Sequence, residues 1–136
     1  MTLIIVIYKC LNMDIPSRDA QLISLRPYIV VDNEREPLSE EHFQQIALRP
    51  ILKLQNSLII AYYNTKTASA KQPVELKDRL VFVENTLRKD AVLRNQLIGL
   101  IIGLFTEEEF VFYLKHASSL NKRISQLLIK RIQDQL

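Results

Sequence analysis

Glycine is nearly missing from this chain: 2 of its 136 residues are glycine. Antiparallel β folds reverse direction every few residues and rely on Gly, Asn and Asp for the tight turns. Two glycines therefore argue against an all-β architecture, and they exclude a phosphate loop, whose cradle needs several. Cysteine is scarcer still. The single Cys10 has no partner for an intramolecular disulfide, so stability must come from a packed core. A lone thiol fits a reducing compartment and points to the cytoplasm.

Other absences narrow the chemistry. The two histidines, His42 and His116, do not belong to an HExxH motif and are too few for a histidine-rich metal site. No GxSxG nucleophile elbow is present. No long apolar run is present either. Residues 3–8, LIIVIY, are followed by no small-residue cleavage site, and residues 97–105 fall far short of the ~20 needed to cross a bilayer. The sequence thus offers no catalytic, cofactor-binding or metal-binding set and no membrane span. The formal net charge of +3 is a slight excess and does not by itself argue for nucleic acid.

What the chain does have is apolar surface and helix signals. Apolar residues make up 48% of it, enough for a core without disulfides, and its Leu, Ile, Gln, Lys and Glu favour helices. Ser17 reads as the cap of a short helix over 18–26 that Pro27 ends. Residues 28–38, with Asp32, Glu34 and Glu36, read as an exposed connector. Ser39 caps a long helix with Glu40 and Glu41 in its positive first turn. Phe43, Ile46, Ala47, Ile51, Leu54, Leu58, Ala61 and Tyr62 recur along it at three- and four-residue spacing, as one apolar stripe. Pro50 predicts a kink near Arg49, or two helices joined there.

Pro73 reads as the first turn of a helix with the stripe Leu76, Leu80, Val83 and Leu87. Asp90 caps the next, residues 91–104, apolar on nearly every side after Gln96 and so expected at the centre of the bundle. Gly103 is placed at its C-terminal end, and Gly99, four residues earlier, could admit a close neighbour. Thr106 and Glu109 form a capping box. Glu107, Glu108 and Glu109 point in three directions and are explained by the helix dipole, as is His116 at a last turn. Ser118 or Ser119 is expected to cap the final helix, with Leu120, Ile124, Leu127, Leu128, Ile132 and Leu136 on one face.

The expected fold is all-α, a compact bundle of five or six helices in a single domain over 13–136. Residues 1–12 differ in character. They read either as an upstream extension, with Met13 the natural start, or as a strand-like or helical arm packed on the bundle.

At GLFTEEEF followed by SSLNKRI, and again at SLRPYI and LRPILKLQN, the chain resembles a group of small all-helical, bacterial-type proteins of unknown biochemical role, some carrying the label glyoxalase. The resemblance implies a helical fold and brings no catalytic motif with it. The metal-dependent lyase type of glyoxalase resembles paired βαβββ modules, the hydrolase type carries THxHxDH, and the cofactor-free cysteine type stands on an α/β sheet. None matches these residues.

Three functions are expected. The first is a non-enzymatic cytosolic interaction module, a homodimer or the binder of a protein partner, motivated by apolar positions beyond one stripe in residues 58–63 and 97–105. The second is an enzyme of the glyoxalase-labelled kind. The third is an anion or nucleic-acid binder using Lys122, Arg123 and Lys130, which lie within about a third of the circumference of the last helix; a solvated basic face is the simpler account of these three.

Overall fold

Four of the helix starts read from the sequence carry the expected caps. Ser17 Oγ accepts from the Ala20 amide at 3.2 Å, Ser39 Oγ from His42 at 3.1 Å and the Asp90 carboxylate from Leu93 at 3.0 Å. Thr106 and Glu109 form the reciprocal capping box. Each satisfies amides that a helix N-terminus otherwise leaves without partners. The computed structural model describes residues 16–27 and 39–136. The extension over 1–12, the Met13 start, Cys10 and the connector over 28–38 lie outside them.

Among the described residues there are seven helices and no strands, so the fold is all-α, with one helix more than expected. They are α1 (Arg18–Leu25), α2 (three consecutive pieces, Glu40–Phe43, Gln44–Leu48 and Arg49–Leu54), α3 (Asn56–Thr67), α4 (Leu76–Lys89), α5 (Ala91–Ile102), α6 (Glu107–Lys115) and α7 (Ala117–Gln133). None of the helices described is long and apolar enough to cross a membrane.

The extra helix comes from the long rod, which divides at a place the sequence did not indicate. Pro50 does not end α2: the winding changes from π to α at Arg49 and the helix runs on to Leu54. The middle piece, Gln44–Leu48, is wound as a π turn, and the Arg49 amide bonds to Gln44 O, five residues back. Such a bulge absorbs the proline, which lacks a donor and clashes with the turn before it. The break falls instead at Gln55, whose φ of −88° and ψ of 3° leave the helical region. It turns the apolar face of α3 relative to that of α2. Phe43, Ala47, Ile51 and Leu52 are buried in α2, but in α3 the buried residues are Ile59, Tyr63 and Thr67. Leu58 and Ala61, expected on the buried stripe, are exposed, whereas Tyr62 is half-buried against the core.

Three smaller expectations are also corrected. Pro73 does not open α4. The helix begins at Leu76 after Glu75; Val74 is 95% exposed, so an earlier turn wound from Pro73 would bury no apolar side chain, and such burial supplies most helix stability. Within α4, Val83 and Leu87 are buried whereas Leu76 is exposed. Neither Ser118 nor Ser119 caps α7. His116 alone joins α6 to α7; its Nδ1 lies 3.0 Å from Phe112 O in the last turn of α6, but its side chain does not cap α7; Ser119 Oγ donates to Glu40 Oε1.

The hub is α7, which packs on α3, α4, α5 and α6 through an unbroken i, i+4 ridge of Leu120, Ile124, Leu128 and Ile132. Helix α5 was expected at the centre. It does bury Leu93, Leu97, Ile98 and Ile101, yet Gln96 and Gly99 are exposed and Leu100 is half-buried, so it has an outer side. An aromatic cluster closes the α2–α6 end of the core, with Phe43 edge-on to Phe105 at 5.3 Å and 4.9 Å from Phe112.

Candidate interaction site

The break at Gln55 makes the site. By turning α3, it leaves Leu58, Ala61, Tyr62 and Thr65 beside Gln96, Gly99 and Leu100 of α5, and together these line a groove of about 570 Å³. The Gln55 amide pins the two helices together, its Nε2 donating to Leu100 O at 2.9 Å. Leu58 is 51% exposed. Lys66 Nζ lies 5.6 Å from the centre of the Tyr62 ring. The Tyr62 hydroxyl is buried with no hydrogen-bond partner. No charged side chain lines the groove.

Gly99 is the telling residue. A Cβ built on it would meet nothing within 4 Å. Glycine inside a helix costs roughly 0.5–1 kcal/mol relative to alanine, and no neighbour within the described chain requires it here. Gly103 is different, because a Cβ there would sit 3.1 Å from Gly99 O. It occupies the C-cap position, but its φ of −64° is right-handed, so backbone freedom is not its reason.

The carbonyls at the end of α5 are capped from elsewhere in the chain. Arg18 donates to Gly103 O at 3.0 Å and to Phe105 O at 2.9 Å. Arg26 donates to Leu104 O at 3.3 Å and, more weakly, to Ile46 O at 3.4 Å. Ile46 O is the carbonyl that the missing Pro50 donor would otherwise serve in a regular helix. Arg26 also forms a two-pronged ion pair with Glu109: Nη1 donates to Oε2 at 2.8 Å and Nη2 to Oε1. The two side chains are only 8% and 9% exposed. The Asp19 carboxylate accepts from the Glu107 amide at 3.2 Å. Helix α1 buries no residue of its own and is attached largely through these polar contacts.

Sequence reasoning missed Arg26, whose partner lies 83 positions away. The triplet Leu-Arg-Pro occurs at 25–27 and again at 48–50, a repeat that chance explains. The first copy supplies the guanidinium and the second supplies the proline.

The three basic residues of the last helix have separate surroundings. Lys122 is exposed. Arg123 Nε donates to Gln44 Oε1 at 2.6 Å, tying α7 to the π turn. Lys130 pairs with Asp134 at 3.0 Å and lines a second groove, between α2 and α7. The His116 ring packs on Phe112 at 4.4 Å. Among the described residues no three His, Cys, Asp or Glu side chains are grouped so as to hold a metal ion. Comparison with models of known protein families, with curated proteins and with solved structures finds no significant match.

Proposed function

We propose that the protein is a non-enzymatic interaction module that binds a second copy of itself through the α3–α5 groove. One observation carries the reading: the helix-interior Gly99 gives up stability for an empty Cβ position that faces an uncharged apolar groove. Nothing inside the described chain uses that space, so its use is an approach from outside. The occupant is chosen by charge. In a two-fold contact each patch meets its own copy, and a charged lining would repel itself; this lining is neutral. The glyoxalase-labelled alternative would need convergent histidine and carboxylate groups, which the groove lining lacks. The lone Cys10 favours the cytoplasm as the place of assembly.

The test is the oligomeric state measured by sedimentation over a concentration series. The native chain should associate, whereas Leu58→Glu and Gly99→Lys should stay monomeric with their helical circular dichroism intact. A second apolar face supplies the control, since α6 leaves Phe110, Val111 and Leu114 exposed. Association abolished by Leu114→Glu and untouched by Leu58→Glu would refute the assignment, as would a native chain that stays monomeric at high concentration.

A further inference from the structure

The second groove, between α2 and α7, encloses about 560 Å³, within the roughly 300–1,000 Å³ range of small-ligand sites. Its lining gathers Arg49 and Lys53, one turn apart on α2, with Lys130 and Arg131 of α7; Asp134 is its single carboxylate. Lys130 is engaged with Asp134. Among the described residues no carboxylate lies within ion-pair distance of Arg49, Lys53 or Arg131.

Helix ends account for part of this charge. Lys53 lies in the last turn of α2, and Lys130 and Arg131 in the last turn of α7, where each helix end presents about half a negative charge. Two ends and one carboxylate together offset about two of the four cations. About two positive charges are then left over a groove that also holds neutral hydrogen-bonding groups. Arg131 is held in place without being neutralised: Nη1 donates to Asn56 Oδ1 at 3.3 Å, and Gln135 Nε2 donates to the same oxygen at 2.8 Å. A guanidinium fixed by an amide keeps its charge for a ligand and gives up little side-chain freedom on binding one.

We infer that the α2–α7 groove is a binding site for a small multivalent anion of the phosphate type, held by Arg49, Lys53, Lys130 and Arg131. The site is independent of the α3–α5 groove and does not depend on self-association.

Inorganic pyrophosphate is the probe, followed by calorimetry and by melting temperature on the full chain. The native protein should bind it and melt higher in its presence, more so at about 50 mM than at about 200 mM salt. The double variant Arg49→Gln, Lys53→Gln removes two exposed side chains that make no hydrogen bond to a described residue, so it should fold normally. Its affinity should fall at least roughly tenfold, as the loss of charge-assisted contacts implies. Lys122→Gln, outside the groove, should bind like the native chain.

Equal binding by all three proteins would reduce the effect to general attraction by a basic surface and overturn the site. A double variant that melts lower, with neither protein responding to pyrophosphate, would leave the cations as partners of the helix ends and overturn it too. A DNA duplex bound more tightly than pyrophosphate, and released by the same double variant, would overturn the small-ligand assignment.

Discussion

Replacing Arg26 with alanine should be among the most damaging single changes in this protein. The guanidinium is two-pronged on Glu109 in a setting where both side chains are under a tenth exposed. Removing it leaves the carboxylate buried with one remaining partner of note, the Thr106 amide at 2.9 Å. Leu104 O also loses its donor. Breaking one side of a buried pair costs about 3–5 kcal/mol, because the partner's charge stays out of water uncompensated. A domain of this size has only about 5–15 kcal/mol of net stability, so Arg26→Ala should lose a large share of it. Urea unfolding followed by helical circular dichroism measures the loss as a shift in midpoint at constant slope. The double replacement Arg26→Met, Glu109→Met removes both charges. It should cost less than Arg26→Ala alone, even though half of the capping box goes with it, since apolar residues of similar size often substitute for a buried pair. A loss below about 1 kcal/mol for Arg26→Ala, the range of surface pairs, would show the pair to be solvated and refute the argument. So would a double variant less stable than the single one.

The same packing sets other expectations. Ile101→Ala should cost about 2–5 kcal/mol in urea unfolding through lost transfer energy and a cavity, since Ile101 is fully buried; a neutral result would remove α5 from the core. Gly99→Ala should leave the fold intact and raise the isolated chain's stability by about 0.4–1 kcal/mol. A destabilised Gly99→Ala would mean that the empty Cβ position is filled in solution. Burial raises the Tyr63 phenol above its ordinary value of 10.0, partly offset by the nearby Arg79 charge. The folded chain therefore keeps this proton when the unfolded chain has lost it, so stability is full below pH 10 and falls as pH rises through the folded value. Tyr63→Phe should flatten that alkaline loss, and an unchanged alkaline midpoint would count against the burial.

The caps were legible because a cap is local. Ser17, Ser39, Asp90 and the Thr106–Glu109 box each depend on a side chain and an amide three residues apart, and that spacing is visible in the sequence. The last helix was legible for a similar reason: Leu120, Ile124, Leu128 and Ile132 repeat every four residues with no interruption. The long rod was harder. Proline announces an irregularity, and the winding does change from π to α at Arg49, but the rod divides five residues after Pro50, at Gln55. Gln55 carries no breaker signal. Its conformation is supported by a bond to Leu100 O on another helix, information that no local window contains. Arg26 was missed on the same ground. Its value lies in Glu109, Leu104 and Ile46, from two other parts of the chain, and a single arginine before a proline has no pattern to betray them.

Five residues that local reasoning placed on buried faces lie close together in space. A stripe extrapolated past Gln55 put Leu58, Ala61 and Tyr62 in the core, and an all-round apolar reading put Gly99 and Leu100 there too. All five line one open groove, Tyr62 and Leu100 as half-buried residues that also pack on the core. Local pattern and global structure usually agree, and they part company where a position answers to something other than the chain's own stability. Here the disagreement selects a single neutral groove between α3 and α5. The basic α2–α7 groove has the opposite character, with four cations, one carboxylate and fixed amides. The two surfaces call for different occupants. An apolar, uncharged one can be a second copy of the chain, whereas a surface with about two uncompensated positive charges would repel its own image and suits an anion.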